Sequence, residues 1–112
     1  MGHRRDPAVL EAAVLVAKEV NRLLDSAPGR FLHAGQLRKA AQSVRANIKE
    51  GLGRGRDGGR NQSFRVARGE AEEAIEHLAA NYETDRLDRS TFFRIRNRLV
   101  TIVKMLNALE RS

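Results

Sequence analysis

Three groups of residues in this chain could do chemistry. The first is Gly53-Arg-Gly55-Arg-Asp-Gly58, a G-x-G-x-x-G spacing inside a glycine- and arginine-rich stretch from Gly51 to Phe64. Glycines so spaced let a backbone wrap a pyrophosphate, but the dinucleotide fingerprint needs a strand before it and a helix opening after it. Here the preceding residues carry a helical period. A Walker A loop would end in Gly-Lys-Ser/Thr, and Gly58-Gly59-Arg60 does not. Two readings stay open: a solvated connector, or an arginine–glycine arm whose guanidinium groups bind phosphates or stack on bases. The second group is Arg38, Gln42, Arg45 and Lys49, which one helix presents as a single exposed stripe. Arg38, Arg45 and Lys49 on that stripe, with Arg54, Arg56 and Arg60 beyond it, are the candidate phosphate contacts.

The third group is acidic and polar. Glu73 precedes His77 by four residues, within reach of a shared metal on a helix. Di-iron bundles need two Glu-x-x-His motifs and two more carboxylates. This chain has no Glu-x-x-His, and its other histidines are His3 and His33. A surface Glu73–His77 pair is expected, and no metal. Ser43, Asn47 and Glu50 share a flank beside the apolar line of the stripe's helix. Ser43 has no His or Lys placed to activate it, and Glu50 has no partner acid, base or metal. With Gly51 these residues are expected to make interhelical or intersubunit hydrogen bonds. No catalytic residue and no cofactor is expected.

The elements that position these groups are helices. Of 112 residues only four are Phe and one Tyr, with no Trp, so the core must be built from Ala, Val, Ile and Leu. Apolar residues recur at helical spacing in four segments, 7–25, 35–52, 61–83 and 90–110. In the first, Val9, Ala13, Val16, Val20, Leu23 and Leu24 make the stripe, with Asp6 as N-cap and Pro7 as first helical residue. Leu37, Ala41, Val44 and Ile48 form the second, flanked by Ala40 and Gly51. Phe64, Ala67, Ala71, Ile75, Leu78 and Tyr82 form the third. In the fourth, Phe92, Ile95, Leu99, Ile102, Leu106 and Leu109 follow a cap at Asp88 or Ser90. Phe93, Val100 and Val103 widen that face, which serves either one broad core or a contact with a second copy. No strand-like alternation of useful length occurs. Short connections make neighbouring helices antiparallel, so the expected fold is a single all-α domain over residues 1–112, an up-down-up-down four-helix bundle.

Charge narrows the function classes. The net charge is +7 and the isoelectric point about 11.0, which points to polyanionic partners, nucleic acid first. From Arg38 to Arg68 nine residues are basic and two acidic, whereas from Gly69 to Leu87 six are acidic and one is basic. The absence of cysteine excludes disulfides, thiolate chemistry and cysteine-ligated zinc. No apolar run approaches the roughly 18 residues that cross a membrane, and Asp6 and Glu11 interrupt any signal-peptide core. A cytoplasmic protein is expected.

The segment Gln36-Leu-Arg-Lys-Ala-Ala-Gln-Ser-Val-Arg-Ala-Asn-Ile-Lys-Glu-Gly-Leu-Gly-Arg54 resembles a family signature. It is similar to Q-L-R-R-A-A-x-S-I-x-x-N-I-A-E-G-x-G-R of the bacterial four-helix-bundle proteins encoded in 23S rRNA intervening sequences. Ala67-Arg-Gly69-Glu70-Ala-Glu72-Glu73 resembles the family's A-x-G-S-x-x-E, with Glu70 in place of serine. Arg60 and Ser63 stand where the family carries aromatic residues, and Lys49 where it carries a small one. The resemblance implies ring-like homopentamers and a structural role for the motif that contains Ser43, Asn47, Glu50, Gly51 and Gly69. It also implies a distant relation to the accessory protein of diversity-generating retroelements, which works with a reverse transcriptase and nucleic acid. The expected function is non-enzymatic binding of RNA or DNA by a homo-oligomer. The alternative is a scaffold or adapter for a partner enzyme such as a reverse transcriptase.

Overall fold

Apolar side chains spaced by three and four residues can leave water only if each helix turns one stripe inward. The computed structural model describes residues 7–56 and 58–111 and forms four helices: α1 Ala8–Ser26, α2 Ala34–Gly53, α3 Arg60–Glu83 and α4 Arg89–Arg111. Among the described residues there is no strand. Each observed end lies within one residue of its expected place. Asp6, the expected cap of α1, lies outside the described residues. Pro7 is not the first helical residue: its backbone is extended (ψ 146°), so it precedes the helix, and its carbonyl accepts from the N–H groups of Leu10 and Glu11. Ser26 Oγ donates to the Leu23 carbonyl at the other end. Of the two candidate caps of α4, Asp88 serves: its Oδ2 accepts from the Thr91 N–H at 2.9 Å, which satisfies a donor the helix leaves orphaned.

The helices neighbour one another in the cycle α1–α2–α3–α4–α1, and neither diagonal pair approaches. One apolar cluster fills the centre, from Val9 and Val16 on α1 to Ile95, Leu99, Ile102 and Leu106 on α4. The most extensive helix pair is α2–α3, whose buried residues include Ala40, Ala41, Ala67, Ala71 and Ala74. Small side chains let two helices approach closely. Gly51 takes this furthest. A Cβ there would stand 2.5 Å from Cε1 and 2.7 Å from Cδ1 of the fully buried Phe64 ring.

On α3 the buried line steps through Ala71, Ala74, Leu78 and Asn81. Ile75 and Tyr82, expected there, are half-buried at its edge, because a turn of 3.6 residues admits either line and packing selects one. Tyr82 stacks on Phe92, ring centroids 4.6 Å apart, and meets Phe93 edge-on. Phe93 and Val103 are half-buried and pack against the central cluster, so part of the wide face of α4 serves the core.

Asn81 holds one end of the bundle together. Its Oδ1 accepts from the Leu32 N–H (2.7 Å), and its Nδ2 donates to the carbonyls of Leu32 (3.1 Å) and His77 (2.9 Å). Arg30 Nε donates to the Arg86 carbonyl at 2.8 Å. The α1–α2 connection is thereby fastened to the end of α3 and to the α3–α4 connection.

Candidate nucleic-acid interface

The stripe of α2 does not stand free as a row of cations. Arg38 Nη1 donates to Asn21 Oδ1 (2.8 Å), and its Nη2 pairs with Asp25 Oδ1 (2.9 Å), both on α1. The guanidinium is thus largely committed to the α1–α2 contact. Arg45 is half-buried, and its one side-chain partner is Gln42 Oε1 at 3.3 Å. Lys49 is exposed and forms no ion pair with a described residue. Arg45 faces a shallow groove between α1 and α2, lined also by Val14, Ala17, Lys18, Asn21 and Gln42. Lys18, on the opposite wall, is exposed and forms no ion pair with a described residue. The groove lining contains no acid, so Lys18 and Arg45 leave it positive, and the exposed Lys49 follows Arg45 by one turn of α2. Lys18 was not among the expected contacts. It is a lone cation on α1, and only the pairing of α1 with α2 brings it beside Arg45.

The Gly/Arg stretch departs further from an extended arm. Arg54 pairs with Glu50, one helical turn earlier, at 2.7 Å and also donates to the Gly58 carbonyl at 3.3 Å. The Gly58 N–H closes a turn on the Gly55 carbonyl at 2.9 Å. Gly59 then enters α3 with φ +87°, a backbone that glycine adopts without penalty. Arg60 folds back, donates to the Leu109 carbonyl and sits over the Phe64 ring at 5.4 Å. A cation on the last carbonyls of a helix is a favourable termination. Arg60 is therefore a packing residue of the α3–α4 end, whereas Arg54 and Arg56 are exposed. Ser63 is buried, so the first turn of α3 packs although it lacks the aromatic residues of the resembled pattern. The six expected cations thus separate: Arg38 and Arg60 join neighbouring helices, Arg54 is exposed and bound to Glu50 and the adjoining turn, and Arg45, Lys49 and Arg56 form no ion pair with a described residue.

The side-chain bonds of the expected structural motif lie within α2 and its C-terminal cap and, among the described residues, join no second helix, contrary to the expected interhelical bonds. Asn47 Nδ2 donates to the Ser43 carbonyl (2.9 Å) and to Ser43 Oγ (3.1 Å). Glu50 anchors Arg54, and Gly51 admits Phe64. Gly69 differs: it is exposed in the middle of α3, and a Cβ there would meet nothing within 4 Å.

No hydrogen bond or ion pair joins Glu73 to His77, contrary to expectation. His77 instead lies beside His33, ring centroids 5.3 Å apart. Among the described residues no three His, Asp or Glu side chains converge as a metal would require. No helix there is long and apolar enough to cross a membrane.

No curated protein matches the chain. Among solved structures, a protein of unknown function from the S23 ribosomal protein family of Bacteroides thetaiotaomicron VPI-5482 superimposes with a TM-score of 0.85. It is 22% identical, and the match covers 94% of this chain and 100% of that one; at that identity the likeness concerns the fold. The sequence model described as 23S rRNA-intervening sequence protein matches residues 5–108, nearly all of the bundle described above, and the chain belongs to that family.

Proposed function

We propose that this protein is a non-enzymatic homo-oligomer of antiparallel up-down-up-down bundles, a cytoplasmic ring of five copies, that binds the phosphates of RNA or DNA. The antiparallel order is supported by contacts at both ends of neighbouring helices: Arg60 at the start of α3 reaches Leu109 at the end of α4, and the end of each helix meets the start of the next. Arg38 meets Asp25, Phe64 meets Gly51, and Phe92 meets Tyr82. The observation that carries the binding reading is the acid-free lining of the α1–α2 groove, which holds Lys18 and Arg45, with Lys49 one helical turn beyond Arg45; none of the three forms an ion pair with a described residue. Repetition of a weak patch around a ring would raise its affinity by avidity. A non-catalytic role is supported by the engagement of Ser43 and Glu50 with Asn47 and Arg54.

Titration of mixed-sequence RNA and DNA oligonucleotides at several salt concentrations tests the binding. Affinity that falls steeply with salt and shows little sequence preference is expected. No binding at low salt, or binding insensitive to salt, would count against it. A single protein recovered from nuclease-treated lysate by the wild-type chain, and equally by a chain lacking the groove cations, would favour the adapter reading.

A further inference from the structure

We infer that copies of this chain join through two unlike faces: the outer face of α3 on one copy and the seam between α1 and α4 on the next. This rests on the homo-oligomer reading above and names its contact. The α3 face is unusual for an internal helix surface. Gly69 occupies mid-helix, where glycine is a destabilising choice, and among the described residues nothing lies within 4 Å of where its Cβ would stand. Val66, one turn earlier, is 45% exposed. Glu72, Glu73, Glu76 and Glu83 are all exposed, and none forms an ion pair with a described residue, although the chain carries 21 Lys and Arg. A small residue beside an exposed apolar one, followed by unpaired carboxylates, suits close approach by another helix with a basic surface.

The seam supplies that partner in order along its length. At one end is an almost wholly apolar depression lined by Ala8, Val9, Met105, Ala108 and Leu109. A second depression contains Ala12 and Arg98 around Leu15, which is 54% exposed. A third contains Arg22 and Arg94. One carboxylate, Glu19, serves both Arg94 (2.5 Å) and Arg98 (3.1 Å), so a positive excess remains.

Levels along the bundle match as well. Arg60 reaches Leu109, Arg68 reaches Asn107, and Tyr82 stacks on Phe92. Val66 and Gly69 are therefore level with Met105–Leu109 and with Ala8, while Glu73 and Glu76 are level with Arg98, and Glu83 with Thr91 and Arg94. A ring whose axis runs along the helices relates copies by rotation alone, so each level meets its own level. Apolar then meets apolar and acid meets arginine with no shift along the axis. Because the two faces differ, the contact is head-to-tail, the kind that closes into a ring.

Light scattering on the full chain during gel filtration reads the mass. Wild type is expected as a multiple of 12.5 kDa. E73K/E76K and R98E, each shown folded by circular dichroism, are expected at the single-chain mass, and the combined E73K/E76K/R98E chain should recover the assembly. Gly69→Gln and Ala108→Gln block one face each without changing charge. Each alone should be monomeric, and their mixture should stop at two chains, because one good pairing survives. A monomeric wild type would sink the homo-oligomer reading itself. An oligomeric wild type whose mass none of these variants changes would overturn this contact and leave that reading standing. The same holds if R98E lowers nucleic-acid affinity while the mass stays constant, since the seam would then face nucleic acid.

Discussion

Two glycines in this chain look alike in the sequence and differ in what surrounds them. Gly51 lies against Phe64, so Gly51→Ala must displace a fully buried ring. Overpacking of this kind costs about 1–3 kcal/mol, and urea denaturation should show the midpoint falling accordingly. Gly69 is in open space. In a chain held monomeric by E73K/E76K, Gly69→Ala should raise stability by about 0.5–1 kcal/mol through helix propensity alone; a loss measured the same way would show an intrachain constraint. Asn81 is the residue whose importance the sequence hid. It sits on the buried line of α3 among alanines and leucine, and only its reach to Leu32 explains why a polar group is there. Asn81→Leu should remove about 2 kcal/mol or more, since two backbone groups of Leu32 lose their partner at about 1–3 kcal/mol each. The expected readout is a lower denaturation midpoint with faster amide exchange in the α1–α2 connection.

At the scale of elements, the helices were legible because their signals are local. Apolar stripes at 3.6-residue spacing placed each end within a residue. The choice between Asp88 and Ser90 as cap was open in the sequence and is decided by the Asp88–Thr91 bond. That bond makes a pH prediction. Hydrogen bonds from the Thr91 N–H, and then from its hydroxyl, hold the Asp88 carboxyl below its usual range. A carboxyl depressed in the folded state stabilises above its unfolded pKa and loses that contribution as pH falls through the folded value. Asp88→Asn should therefore change the melting temperature near neutral pH, and the gap from wild type should narrow below about pH 4, where the unfolded carboxyl also protonates. A gap constant from pH 7 to pH 2 would show that the charge of the cap contributes nothing. The two lines possible on α3 could not be separated from the sequence. Ile75 and Tyr82 fit the period as well as Ala74 and Asn81, and the close α2–α3 approach favours the smaller pair.

For the whole molecule the prediction concerns ions. If Lys18, Arg45 and Lys49 each neutralise one phosphate, the triple alanine variant should lower the slope of log affinity against log salt by about 2 to 3 on duplex DNA, at about 0.9 per phosphate. Arg38→Ala and Arg60→Ala should act differently, because their guanidinium groups are held by Asn21, Asp25 and the Leu109 carbonyl. Both should lower the melting temperature and leave the salt slope of the folded protein nearly unchanged. A slope equally reduced by Arg38→Ala would return Arg38 to the binding surface.

Taken alone, the sequence determined what is local and periodic: four helices, their inward stripes, their stops, the basic excess and the family motif on α2. Those follow from side-chain spacing along a single helix, which neighbours along the chain suffice to define. Only the tertiary structure decided which charges are free. Arg38 is engaged by a carboxylate 13 residues away and Arg94 by one 75 residues away, while the glutamates of α3 form no ion pair with a described residue. Ion pairs form by distance across the gaps between helices, and that distance exists only once the helices have packed.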